Sequence, residues 1–448
     1  MPQPSPYTPG QVAHHVPGRD EQLADYRERL DFMAATQSLV PVIRVDQGPR
    51  GLGKTSMMRA AERLAAQQFQ ALTVWVVAGE QRSLLSSIAV AAERAIARQV
   101  SGKESSSRAR LSERTTLKFG LSVPGIGSAE ATVAPRPKAA QNQPVDARDV
   151  EDLLDEVHQQ ARDKRPGGVV IFVDEIQEAD AASLRTLSYA WQNLQAERAD
   201  LPVALFTAGL PTSAVVINDA VTNAERFDYR TLGGLDPSAS AVALAGPAHQ
   251  LGVQWDQDAL QEAVQRAEGY PHTLQLIGKH TWNAASRPDP GGTITRQHLE
   301  VGQQKVDADM RQMFRNRLDR ARTPQQREFV QAMAELGDGA IARSAIAERL
   351  GKPSTSLSYV RDQLLTSGVI TEAGYGSVMF GLPGFAEYIR TERAAEGERA
   401  LPRSAAWRGA TQQHFGRTDG RGNADGVPPP ARRAPGASGP SRTTGPAL

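Results

Sequence analysis

Residues 48–55 read Gly48-Pro49-Arg50-Gly51-Leu52-Gly53-Lys54-Thr55 and restrict the fold more than any other stretch of the chain. The three glycines let the backbone curl so that successive N–H groups point inward, at the positive N-terminal end of whatever helix follows. That is a cradle for phosphate. Lys54 then reaches the β- and γ-phosphates of a nucleoside triphosphate as a point charge, and the Thr55 hydroxyl ligates Mg²⁺. Pro49 has no N–H but occupies a variable position, as do Arg50 and Leu52; Ser56 cannot replace Thr55 without a shift of register. Gly48–Ser56 as a whole is the candidate cofactor-binding run, with ATP and Mg²⁺ as cofactors. The motif needs a strand before it and a helix after it. The β-branched, apolar run 39–45 supplies the first, with Pro41 and Arg44 as irregularities. The stretch 55–68, with Met58, Ala61, Leu64 and Ala65 at helical spacing, supplies the second.

A second run completes this chemistry. Val169-Val170-Ile171-Phe172-Val173 is a string of apolar β-formers that ends in Asp174-Glu175. In an open α/β sheet such acids sit at the carboxyl ends of the strands, where ligands bind. Asp174 is the candidate for holding Mg²⁺ through its water shell, and Glu175 for orienting and activating the attacking water.

The chain has 448 residues, enough for two or three domains, and its 51 Lys and Arg against 50 Asp and Glu give a net charge of +1. No global field announces nucleic acid or membrane. The absence of cysteine excludes disulfides, thiol catalysis and cysteine-ligated zinc, and is compatible with a cytoplasmic protein. The histidines show no metal spacing. No signal peptide is visible, and no segment reaches the roughly 18 apolar residues of a membrane span.

The order of elements predicts an α/β fold with a parallel sheet. Residues 1–16 read as a flexible lead-in and 17–235 as the nucleotide-binding domain, its strands alternating with helices. Residues 101–146 read as an insertion containing one hairpin. From 236 to 322 the chain is helical without a convincing strand. In 323–392, three helices and a hairpin around Gly374-Tyr375-Gly376 make a winged helix-turn-helix. Residues 393–448, rich in Pro, Gly, Ser, Arg and Ala, read as a disordered basic tail.

On these motifs the chain resembles the AAA+ and STAND ATPases, P-loop proteins, from about residue 17 to 392. Gly18-Arg19-Asp20-Glu21 before the first helix, the two Walker motifs, Val203–Gly209, Ala224-Glu225-Arg226-Phe227 and Gly269-Tyr270-Pro271 carry the resemblance. It implies a P-loop domain, a helical lid and a C-terminal winged helix, with origin-recognition ATPases as relatives in domain order. It further implies that Thr207, the polar residue ending a fourth strand read as 203–207, senses the γ-phosphate and that Arg226 is an arginine finger acting on a neighbouring subunit, with Arg230 as competitor. Pro271 is implied to pack near the adenine. Such a Gly-x-Pro lid favours nucleotide as a conformational latch over rapid turnover.

Two readings of the winged helix stay open. Lys352, Ser354, Thr355, Tyr359 and Arg361 are candidate contacts to the phosphates and base edges of double-stranded DNA. Alternatively the winged helix is a packing hinge in a signalling switch whose output is self-association or a protein partner, or the whole is a nucleotide-binding scaffold with negligible turnover.

Overall fold

The computed structural model describes residues 2–79, 83–99, 118–119, 145–222, 224–373, 376–382 and 384–400, with side chains to 393. Most of the 101–146 insertion, the wing tip at Gly374 and Tyr375, and the tail beyond 400 lie outside the described residues.

Helix α1 (Asp20–Thr36) leads into strand β1 (Ile43–Gln47), and α2 (Lys54–Gln67) follows the phosphate loop. Then come β2 (Leu72–Val77), α3 (Leu84–Gln99), α4 (Ala147–Ala161), β3 (Val169–Asp174), α5 (Ala181–Glu197), β4 (Val203–Gly209), α6 (Ser213–Ala220) and β5 (Phe227–Thr231). The five strands are all parallel, in the order β2-β3-β4-β1-β5, so β1 is inserted between β4 and β5. Both faces are covered, which is why β3 and β4 are buried at every position and apolar apart from Asp174 and Thr207. One face packs Phe172 and Phe206 against Tyr26, Leu30, Met58 and Ala61 of α1 and α2. The other packs Ile171 and Leu205 against Ile88, Leu154, Leu187 and Trp191 of α3, α4 and α5.

The irregular Arg44 of β1 is buried to 1% exposure. A charge so placed needs partners. It has them: Asp46 Oδ1 at 2.8 Å, a bond to Asp25, and the Tyr26 ring, whose centroid lies 3.9 Å from the guanidinium carbon.

Residues 237–318 form the lid: α7 (Pro237–Gln250), α8 (Gln257–Ala267), α9 (Pro271–Ala284) and the long α10 (Arg296–Leu318). Where the sequence shows no convincing strand, two dipeptides pair in parallel, β6 (Gln254–Trp255) with β7 (Thr293–Ile294). They are too short to carry a periodicity. The winged helix comprises α11 (Pro324–Leu336), β8 (Ile341–Ala342), α12 (Arg343–Leu350), α13 (Ser358–Thr366), β9 (Ile370–Glu372) and β10 (Ser377–Phe380), followed by α14 (Phe385–Ala400). Its sheet has three strands, β8 having joined the expected hairpin.

The lead-in departs from its expected flexibility. Tyr7 is 2% exposed, donates its hydroxyl to the Leu244 carbonyl at 2.6 Å and accepts from Trp255 Nε1 at 2.9 Å. It fills the place where Gly278 of α9 lacks a side chain: a Cβ there would come within 2.4 Å of the Tyr7 ring. Gln3 donates to the Pro288 carbonyl at 2.7 Å, and the Ala13 N–H donates to Ser56 Oγ at 3.0 Å. Residues 2–17 are therefore a strap laid from the lid to α2. A segment held by one aromatic anchor and scattered polar bonds has no hydrophobic period to reveal it.

Candidate nucleotide-binding site

The sheet order puts the end of β1 next to the end of β4, and the Gly48 N–H donates to the Gly209 carbonyl at 3.2 Å. From there the loop turns through Gly51 (φ 86°) and Gly53 (φ 84°) into α2, both in the left-handed region that a side chain disfavours. Gly51 is doubly constrained, since a Cβ there would sit 2.8 Å from the Tyr270 ring.

Lys54 is almost fully buried, and its ammonium donates to the carbonyls of Gly48 at 2.7 Å and Pro49 at 2.9 Å. Burial pulls its pKa down to about 8, against the opposing pull of Glu175 and Asp174. The Thr55 hydroxyl donates to Asp174 Oδ2 at 2.7 Å, so the two residues read from the sequence as metal ligands touch each other across the sheet end. Burial raises the Asp174 pKa, while the Thr55 hydroxyl and the Glu175 N–H stabilise its charged form.

Glu175 has φ 54° and ψ 44°, a left-handed conformation that costs a non-glycine residue about 1 kcal/mol or more and that turns the chain sharply out of β3. Its carboxylate accepts from Gln177 Nε2 at 2.6 Å, and Gln177 Oε1 accepts the Leu210 N–H at 2.9 Å. Gln177 thus ties the candidate base to the end of β4. Nothing in the sequence distinguishes it, because its partners lie on separate elements.

Thr207 does not face this cleft. It stands mid-strand, 1% exposed, and its hydroxyl donates to the Arg44 carbonyl at 3.0 Å within the sheet. The residue of β4 level with the phosphate loop is Gly209, and it is Gln177 that reaches there. The sensor expected at Thr207 is corrected accordingly: β4 runs two residues beyond it, which places its side chain inside the sheet.

Arg226 ends a short 3₁₀ turn just before β5 and donates to Gln195 of α5, which in turn donates to the Pro41 carbonyl. Phe227 pairs with Ile43, the first residue of β1, whereas the phosphate loop follows the last. Arg226 therefore lies at the opposite end of the sheet from its own cleft. Arg230, half exposed, bonds Asp228 at 2.9 Å.

The lid closes the cleft from the side. Pro271 opens α9, the His272 N–H donates to the Gly51 carbonyl at 3.3 Å, and the Tyr270 hydroxyl donates to the Arg50 carbonyl of the phosphate loop and lies 3.2 Å from the Gly381 carbonyl of the winged helix. Arg19, 5% exposed, donates to the carbonyls of Leu52 at 3.2 Å and Gly233 at 2.8 Å, clamping the loop to the hinge between sheet and lid. Together these elements enclose a cleft of about 380 Å³. Its walls include Arg50, Lys54, Thr55, Ser56, Glu175, Pro271 and His272, and, from the strap, Gly10 to Ala13 with His15 and Val16. Burial lowers the His272 pKa, so the imidazole facing the cleft is neutral near pH 7.

On the winged helix, Ser354 and Thr355 fall in a 3₁₀ turn ahead of α13. Tyr359 is 72% exposed. Arg361 bonds Glu372 of β9 at 3.0 Å and Lys352 bonds Glu328 at 2.7 Å, so both expected DNA-contacting cations are engaged within the fold. On the same outer face as Tyr359, Arg320 and Arg322 line a shallow depression with Gln363.

Comparison with known proteins agrees with this architecture. Residues 15–206 match the AAA ATPase domain family, and residues 311–389 match a family described as a domain of unknown function. No curated protein matches the chain. Among solved structures, a Walker-type ATPase of Pyrococcus abyssi superposes with a TM-score of 0.54 at 14% identity, covering 86% of this chain and 98% of that one. The ORC2 protein of Aeropyrum pernix, solved in ADPNP and ADP complexes, gives 0.50 at 11% identity, covering 88% and 99%. Residues 15–206 thus match the AAA ATPase domain family, and the cradle, the paired acids, the β2-β3-β4-β1-β5 sheet and these two structures give the chain a P-loop fold of the AAA+ type, followed by a helical lid and a C-terminal winged helix.

Proposed function

We propose that the chain binds and hydrolyses Mg²⁺-ATP and uses nucleotide state to set the arrangement of its P-loop domain, lid and winged helix. The observation that carries this is Tyr270. It sits in the lid, its hydroxyl has one hydrogen, and two carbonyls compete for it, Arg50 in the phosphate loop and Gly381 in the winged helix. Anything that rearranges the phosphate loop is felt at the wing through that shared donor.

The residues present fit a magnesium ion. Thr55 and Asp174 offer adjacent oxygen donors, a set that suits an ion held mainly by water and phosphate. When bound, Mg²⁺ supplies charge neutralisation on the phosphates. Lys54 moves its ammonium from the loop carbonyls to phosphate oxygens, Glu175 accepts the proton of the attacking water, and Gln177 fixes where that carboxylate points. The lid, the strap and Arg19 keep the cleft closed around the base and phosphates.

Duplex DNA is the partner proposed for the winged helix, through Tyr359 with Arg320 and Arg322. The rival reading, a packing hinge with a protein partner, is favoured by the internal ion pairs of Arg361 and Lys352. The deciding experiment measures Mg²⁺-ATP turnover with and without duplex DNA. Wild-type protein is expected to turn over, Lys54→Ala to lose ATP binding by at least 100-fold, and DNA to accelerate the wild type. A Lys54→Ala variant with unchanged affinity would sink the nucleotide reading, and turnover indifferent to DNA would leave the hinge.

A further inference from the structure

A second cavity of about 800 Å³ also borders the phosphate loop, sharing Leu52 with the nucleotide cleft. The loop (Gly48, Pro49), the hinge after β5, the lid and the wing all contribute to its walls. That volume is within the range of cavities that hold small organic molecules. Its floor is apolar: Leu52, Leu232, Tyr270, Phe380 and Leu382 are each more than nine-tenths buried. Its charged groups are of one sign. Glu268, Asp338, Glu372 and Glu387 line it, and no Lys, Arg or His occurs among the described lining residues. Asp338 and Glu372 are paired with Arg390 and Arg361, whereas Glu268 and Glu387 are exposed at the rim with no ion pair among the described residues. Two further oxygens of the lining residues have no hydrogen-bond partner, Gln47 Oε1 and Thr371 Oγ1, the latter on a residue 5% exposed.

We propose that this cavity binds a small organic cation, an apolar body carrying one ammonium or amidinium group. The apolar floor takes the body, the rim carboxylates take the charge, and a rotamer change brings either unpartnered oxygen to an N–H of the ligand. An anion meets only like charge here. A bare metal ion lacks a converging ligand set, since no group of three or more acids and histidines among the described residues is placed to hold one. The occupant touches the phosphate loop and the wing at once, so its consequence for nucleotide affinity rests on the switch proposed above, whereas its binding does not.

The test is calorimetric titration of the full chain with phenethylammonium chloride, using 2-phenylethanol as the neutral counterpart. One saturable site per chain is expected, with Kd on the order of 0.1–1 mM for a ligand of this size. The double variant Glu268→Gln, Glu387→Gln alters two exposed side chains, so its melting temperature should be unchanged while affinity falls roughly tenfold. The titration is run without nucleotide or Mg²⁺, so its outcome does not depend on the nucleotide reading, which the Lys54→Ala binding assay tests separately. Absence of a saturable heat, equal binding of 2-phenylethanol, or undiminished binding by the double variant would each overturn the proposal.

Discussion

Lys54 is a cation held by carbonyl dipoles, and its pKa of about 8 decides how ATP binding depends on pH. Phosphate oxygens stabilise the ammonium, so the pKa in the complex is higher than in the free protein. Affinity is then fully present below about pH 8, where both states are protonated. It falls as pH rises above that value, by about tenfold per unit until the pKa of the complex is reached. Titration of a fluorescent ATP analogue at pH 7, 8 and 9 should show little change over the first step and a marked loss over the second. Equal affinity at all three would remove Lys54 from the phosphates. Glu175 answers to a different measurement. Glu175→Gln keeps the size of the side chain while removing its basicity, so ATP should still bind within about threefold and turnover should fall by about 100-fold or more. Full turnover in that variant would assign the base elsewhere. At this scale the sequence was legible in which residues meet at the sheet end, as with Gly48–Thr55 and Asp174-Glu175, because their motifs fix them to the ends of β1 and β3. It was silent on Gln177, whose partners are Glu175 and the backbone of Leu210, and misleading on Thr207, where the extent of β4 decides which side chain reaches the cleft.

Helix α9 shows what one element can carry. Pro271 fixes its first turn, Gly278 admits Tyr7 of the strap, and Tyr270 just ahead of it bonds the phosphate loop and approaches the wing. Tyr270→Phe keeps the buried ring and removes the shared donor, so fold stability should fall by only about 1 kcal/mol. The larger change should appear in coupling. In wild type, a non-hydrolysable ATP analogue should alter amide hydrogen exchange in β10, and in Tyr270→Phe that response should vanish while the analogue still binds. A response preserved in the variant would route the coupling elsewhere. The helices and strands of the P-loop domain were legible because each carries a long period or an apolar run. The strap was not, since Tyr7 is a single anchor in a proline-rich segment. Nor were β6 and β7, two residues each, or the third strand of the wing.

Across the whole molecule, the nucleotide cleft and Arg226 lie at opposite ends of one sheet, so any catalytic use of Arg226 requires a second copy of the chain. Turnover per chain should then rise with protein concentration in wild type and stay flat in Arg226→Ala; a concentration-independent wild-type rate would return Arg226 to the local role of holding Gln195. The domain order was legible from the succession of motifs, while the docking of wing and lid onto the phosphate loop depends on contacts between residues more than a hundred positions apart, such as Tyr270 with Gly381. The strap gives that arrangement a kinetic dimension. It is pinned to the lid by Tyr7 and to α2 by the Ala13 N–H, so it bridges two walls of the cleft. On the nucleotide reading proposed above, residence time should then depend on the peeling of a short tether, and be adjustable without altering any group that grips the phosphates.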